Sequence, residues 1–317
     1  MKQERSRTVR VFAPATVSNV VCGYDIFGFA LSEPGDEVQA WLVDEAGVFI
    51  EAVHGDGGRL PLEAEWNTAG VAVSRMLEKA GASQGIALEI HKKMPLGSGM
   101  GSSAASAAAA AFAANILLDS PFQTRELLPF CLEAERTACG AGHVDNAAPS
   151  LLGGFILVRS YDPLDVVSLP VPPGLFCTVI HPRMEVNTGQ ARRMLPSSIP
   201  LVKAVRQWGN VSGFTAGLIQ GDFDLIRRSM EDVIVEPVRS SLLPHYHETR
   251  RAAMEAGALG CGISGSGPSM FALSSSLETA LETALAMKKS SLELGLPCEE
   301  YVSALSQPGA RVVGGET

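Results

Sequence analysis

The chain has 317 residues, 46% of them hydrophobic and 19% charged, with 34 acidic against 25 basic residues for a formal charge of -9. That length suits one large domain or two ordinary ones, and the composition excludes a disordered chain. The acidic balance excludes a surface built to neutralise a nucleic-acid backbone, but a local basic pocket can still hold a small phosphorylated ligand.

The charged start MKQERSRTVR carries no apolar run of signal-peptide length and predicts no outward targeting. Residues 8–12 are β-branched and alternating, and read as a half-buried strand that breaks at Pro14. Strands follow at 37–43 and 48–53, then the turn-rich HGDGGRLPLEAE, then a helix over 67–80 that Gly81 stops. Residues 85–91 read as another strand, which runs into the glycine-rich PLGSGMGSS and an alanine-rich helix. The apolar stretch 104–118 is interrupted by Ser106 and Asn115, so it predicts a buried helix in a soluble protein rather than a membrane span. A second helix is expected over 124–137, a loop over CGAGHVDNAAPSLLGG and a strand over 155–159.

The Pro- and Asp-rich passage at 161–173 suggests a division into residues 1–162 and 163–317. The second part predicts a strand at 176–181 and helical stretches at 189–194, 202–220, 223–233 and 245–255. GCGISGSGPSMFAL reads as a glycine turn entering a strand, 279–294 as an amphipathic helix, and Tyr301 as part of a short strand before the tail. Six scattered cysteines without a C-x-x-C pair read as reduced thiols of a cytosolic protein.

Gly97, Gly99 and Gly101 alternate immediately before the alanine helix. Glycine tolerates positive φ and carries no side chain, so backbone N–H groups can turn towards a bulky anion. The helix N-terminus adds free N–H groups and the positive end of its dipole. Ser102 and Ser103 can cap that helix or offer a hydroxyl to Mg2+. No lysine precedes the serines, as a Walker A loop requires, and position 102 lacks the third glycine of a dinucleotide fingerprint. The alanines let neighbours pack against the helix backbone at short range, which brings its N-terminus into the middle of the protein.

Three segments, APATVSNVVCGYDIFGFAL, PLGSGMGSSAAS and GCGISGSGPSMFAL, together resemble the GHMP family of small-molecule kinases. HVDNAAPSLLGG, NTGQARRMLP and DVIVEPVRSSLLPHY resemble its homoserine kinase branch. The resemblance implies an α+β fold, with an N-terminal α/β lobe carrying a left-handed βαβ crossover, a C-terminal ferredoxin-like lobe and a site between them. It implies ATP-dependent phosphorylation of the homoserine hydroxyl, a step toward threonine, in the cytoplasm, by an enzyme that is often a homodimer. The phosphates would lie on Pro95, Leu96, Gly97, Ser98, Gly99, Met100, Gly101, Ser102, Ser103, Ala104 and Ala105, with adenosine near Asn67 and Mg2+ on Ser103 and Glu135. Homoserine would be held by Asn19, Asp25, Asn146, Thr188, Arg192 and Arg239, with Asn146, Arg192 and Arg239 serving the chemistry.

The residue types fit a zwitterion bearing a distal hydroxyl, which needs a carboxylate for its ammonium and an arginine for its carboxylate. Arg192 and Arg239 each suit a carboxylate or a γ-phosphate, and their roles stay undivided at this point. Asp25 also suits a plain turn, and Glu133 rivals Glu135 on bare chemistry. Asn146 stands where some relatives place a basic aspartate; an amide takes no proton near neutral pH, which suggests direct passage of the proton to phosphate, with neighbouring Asp145 as the rival base. NVVCGYD replaces the family's usual N-L-G-P-G-F-D, and Met100 replaces a more usual leucine. Competing readings are a family kinase for another small alcohol and a metabolite sensor without turnover.

Overall fold

A computed structural model describes residues 7–305 and 308–316. The charged start over residues 1–6 and the side chain of Cys139 lie outside the described residues. The first part of the chain runs β1 (Thr8–Ser18), β2 (Phe27–Val43), β3 (Val48–His54), α1 (Thr68–Ala80), β4 (Gly85–His91), α2 (Ser102–Leu117), α3 (Leu128–Cys139), α4 (Val144–Leu152), β5 (Phe155–Tyr161) and β6 (Leu164–Leu169). It continues through β7 (Phe176–Pro182), α5 (Thr188–Arg193), α6 (Leu201–Gln220), α7 (Phe223–Ser229), α8 (Glu236–Arg239) and α9 (Tyr246–Glu255). The last elements are β8 (Gly260–Ile263), β9 (Met270–Ser274), α10 (Leu277–Glu293), β10 (Cys298–Ala304) and β11 (Arg311–Glu316).

Seven strands form one sheet, in the order β11-β1-β2-β4-β3 with β5 and β6 joined through β2, and four form a second sheet, β10-β7-β9-β8. In the first sheet β3 and β4 are parallel, with α1 as the crossover between them. Asn67 begins α1 by accepting from the Ala69 N–H at 3.0 Å, and Gly81 ends it at φ 62°. β5 and β6 face each other across the turn at residue 162, so the expected division falls inside the larger sheet, to which β11 also returns.

Two expectations are corrected. β1 does not break at Pro14: it runs on to Ser18, and the interruption is a register shift against β2 between Pro14 and Thr16. The segment read as a loop contains α4, with Pro149 inside it. Val144, Ala147, Ala148 and Leu151 are buried at helical spacing, and the packing of that face outweighs the proline. A smaller difference is that the C-terminal glycine turn has a strand on both sides, β8 as well as β9.

α2 is buried along nearly its whole length, as its alanines predict. The two sheets meet in an aromatic cluster: Phe27 and Phe29 of β2, Phe155 of β5, Phe214 of α6 and Phe271 of β9, with ring centroids 5.5 to 6.1 Å apart. All five side chains are fully buried, and truncating one costs about 3–5 kcal/mol. This shared core ties the two sheets together, through Phe29 of β2 against Phe271 of β9. Among the described residues no helix is long and apolar enough to cross a membrane, and five cysteines are free.

Candidate active site

The cleft has a volume of about 450 Å³ and draws walls from both parts of the chain. Its floor is the loop into α2. Gly97, Gly99 and Gly101 all have positive φ, at 66°, 78° and 69°, so the conformation that the sequence argument needed is present at each. A Cβ on Gly101 would lie 2.1 Å from Thr16 Oγ1, and one on Gly99 would lie 2.5 Å from the Ser264 carbonyl oxygen. The loop is therefore clamped between β1 and the β8–β9 turn. Gly97, Ser98, Ser102 and Ser103 line the cleft with Leu96, whereas Met100, Ala104 and Ala105 are fully buried in the core and Pro95 is not part of the lining.

Beneath the loop lies a buried ion pair that the sequence reading missed. The Lys92 ammonium is bonded to Asp36, donates to the Ser102 carbonyl at 2.9 Å and to Ser106 Oγ at 2.7 Å, and is 1% exposed. Asp36 also accepts from Ser102 Oγ at 2.9 Å and from the Lys93 N–H at 2.8 Å. A charge pair this deep survives only when its remaining hydrogen bonds are satisfied, and here they run to Ser102 and Ser106 of α2 and to the Lys93 N–H. No local motif marks this pair, because Asp36 and Lys92 are 56 positions apart.

The second wall assembles Asn19 and Asp25 from the loop after β1, Asn146 from α4, Thr188 and Arg192 from α5, and Arg239 from α8. Arg192 Nη2 donates to both oxygens of Asp25 at 2.9 Å, and Arg239 Nη1 donates to the Gly265 carbonyl at 3.0 Å. Tyr24 lies under both guanidinium groups, 5.8 Å from Arg192 and 4.9 Å from Arg239. Arg239 is 4% exposed, and its Nε finds no partner among the described residues. Thr188 Oγ1 lies 3.0 Å from Ser266 Oγ, joining α5 to the glycine turn.

The Asn19–Asp25 loop keeps an unusual backbone. Asn19, Val20, Val21 and Asp25 have φ of 71°, 42°, 59° and 58°. Val21 occupies the place of the family glycine, so the left-handed backbone persists without the residue that adopts it freely. Each such position costs on the order of 1–3 kcal/mol. The turn is fixed by Asn19, which donates to the Gly265 carbonyl at 2.7 Å and accepts from the Asp25 N–H at 3.0 Å.

Asn146 is held rigidly in the second wall. Its Oδ1 accepts from Thr16 at 2.8 Å and its Nδ2 donates to Ser18 at 3.0 Å, which orients the amide. Asp145 beside it is buried, with one oxygen unpartnered among the described residues. Burial first, then the charge of Asp25, pushes its carboxyl up to about 7. Glu135 is 2% exposed; Oε2 meets His143 Nδ1 at 3.1 Å, while Oε1 has no partner among the described residues. The hydrogen bond with Glu135 raises the His143 pKa against the opposing effect of burial. Glu133, its sequence rival, is absent from the cleft lining. Asn67 does line the cleft, but its side chain is spent on capping α1 and on the Pro61 carbonyl at 2.9 Å; the exposed ring beside it is Trp66.

A loop of left-handed glycines at a buried helix end, opening onto a pocket of opposed acid and arginines, suits an enzyme that moves a phosphoryl group onto a small polar molecule. Comparisons with known proteins point the same way. The model of the GHMP kinases N terminal domain matches residues 67–154, and that of the GHMP kinases C terminal region matches 214–292. Homoserine kinases of Chlorobium phaeobacteroides and Chlorobaculum tepidum are 50% and 49% identical, each over 97% of this chain and over 100% and 98% of their own. The crystal structure of homoserine kinase from Cytophaga hutchinsonii superposes with a TM-score of 0.95 at 54% identity, covering 99% of both chains. The chain belongs to the GHMP kinase family, among its homoserine kinases.

Proposed function

We propose that the chain transfers the γ-phosphoryl group of ATP to the side-chain hydroxyl of L-homoserine, giving O-phospho-L-homoserine on the way to threonine. The observation that carries this reading is the pairing of Asp25 with Arg192 in the same cleft as the glycine cradle. Each member of that pair is the counterpart of one charge of an amino-acid head group. The ammonium takes Asp25 and Asn19, the carboxylate takes Arg192 with Thr188 nearby, and Arg239 stands behind them as a second, buried positive charge. The triphosphate lies on the loop from Leu96 to the first turn of α2, with adenosine towards Asn67 and Trp66.

Mg2+ fits this site: the orphaned Glu135 oxygen and the Ser103 hydroxyl are hard oxygen donors facing the cleft. When bound, Mg2+ supplies charge neutralisation between phosphates. The chain's own part is positioning. The amide of Asn146, fixed by Thr16 and Ser18, orients the attacking hydroxyl, and its proton passes to the phosphate without a protein base. A second reading gives that proton to Asp145, and the raised pKa of its carboxyl favours it. A folded Asp145→Asn enzyme that keeps its turnover supports the first; collapse of kcat at unchanged nucleotide affinity supports the second.

The reading also takes residues 1–162 as the lobe of the phosphate loop and 163–317 as the lobe of the substrate arginines and the glycine turn, with catalysis in the cytoplasm. A homodimer belongs to it as well, in keeping with the exposed Leu201, Val205 and Trp208 of α6. The test is ADP release with Mg2+ on L-homoserine, mevalonate, galactose and L-serine. Strong preference for homoserine is expected; preference for another alcohol overturns the substrate, and nucleotide binding without turnover on any overturns the enzyme.

A further inference from the structure

Away from the cleft, the open end of the β3–β4 pair gathers three ligand-bearing side chains. The parallel ladder of these strands carries one extra residue in β3: Ile50 pairs with Leu88, but Ala52 pairs with Glu89 and His54 with His91. Without that bulge Val53 would stand opposite His91, and His54 would fall past the end of the ladder. With it, His54 lies beside His91 and on the face of Glu89, two residues earlier on β4.

The convergence is close. His54 Nε2 is 2.9 Å and His91 Nε2 3.5 Å from the same oxygen, Glu89 Oε1, and the three ligand atoms lie within 4.8 Å of one another. The two imidazole rings stack with centroids 4.8 Å apart and planes 19° apart. One oxygen and two imidazole nitrogens at these separations mark out one face of a small coordination shell. Exposure of 52% at His54 and 22–23% at the other two leaves an entry path and room for water in the remaining positions. Of the nearby cations, Arg10 and Lys93 both pair with Glu37, which offsets their charge, although Arg10 still acts on His91.

We propose that His54, Glu89 and His91 form a site for a transition-metal dication of the Zn2+ type, separate from the catalytic cleft. Two imidazoles with one carboxylate suit Zn2+, Ni2+, Co2+ or Cu2+ rather than Mg2+ or Ca2+, which take oxygen shells. Binding pins β3 to β4 across the bulge, where the ladder is interrupted, and so stabilises the edge of the large sheet.

Titrating Zn2+ alone into the chelator-stripped full chain tests this by calorimetry, with thermal melts alongside. One saturable equivalent is expected, weakened about tenfold or more by each of His54→Gln, Glu89→Gln and His91→Gln. Zn2+ should raise the melting temperature of the wild type and leave that of His54→Gln unchanged. Glu135→Gln, which alters the cleft carboxylate, should keep the wild-type Zn2+ affinity. Absence of saturable uptake by the wild type overturns the proposal, as does uptake that all three variants retain or that Glu135→Gln abolishes.

Discussion

The proposed phosphate cradle and the proposed head-group pocket share one cleft but are built in opposite ways. The cradle is continuous in sequence: its glycines turn the chain, its serines open the helix, and the alanines behind them let that helix sink into the core. The pocket is assembled from the β1–β2 loop, α4, α5, α8 and the β8–β9 turn, and its side chains hold one another before any ligand arrives. A local device carries its geometry in the backbone, whereas a long-range one depends on the packing of every element that contributes to it. The contrast is incomplete at one point, since the cradle rests on the distant Asp36–Lys92 pair.

That exception gives the largest expected effect. Asp36→Asn leaves the Lys92 ammonium buried without its counter-charge, and we expect a loss of about 3–5 kcal/mol in denaturant-derived stability. A loss below about 1 kcal/mol would mean that the cradle is self-supporting after all. Arg239→Met should lower kcat/KM for homoserine by about a hundredfold to a thousandfold, since it removes the buried cation that the proposed pocket holds behind Asp25 and Arg192. Nucleotide affinity, measured separately with a fluorescent analogue, should hold within about threefold; parallel loss of both would erase the distinction between the two regions.

A pH series sharpens the comparison. The Asp145 carboxyl rises from 3.8 to about 7 on folding, so the folded state holds its proton more tightly than the unfolded one. Its contribution to stability is complete below the unfolded value and lost as pH climbs through about 7. Melting curves of Asp145→Asn should therefore gain on the wild type between pH 4 and 7, and an unchanged gap would contradict the burial argument. The smallest effect belongs to Trp66→Ala: 62% exposed, it should leave stability within about 0.5 kcal/mol while raising KM for ATP less than about tenfold.

What could be read from the sequence follows the same division. Glycines 97, 99 and 101 announce a positive-φ loop because nothing else in that pattern explains them. α4 was also legible, since Val144, Ala147, Ala148 and Leu151 keep helical spacing, but Pro149 and the flanking glycines masked it. The Asp36–Lys92 pair, Tyr24 beneath two arginines and the Thr16–Asn146–Ser18 chain leave no local trace, because tertiary packing alone brings them together. The departure in NVVCGYD was visible, but not its consequence. Val21 takes the glycine conformation because Asn19 and the surrounding core hold the loop there.

The most direct measurement is calorimetric titration of L-homoserine into wild type and Asp25→Asn, with the cradle filled by a non-hydrolysable ATP analogue. Loss of the carboxylate should weaken homoserine by about tenfold to a hundredfold while the analogue binds within about twofold of wild type. Unaltered homoserine affinity, or an equal loss for the analogue, would contradict the assignment of the two regions to head group and phosphates.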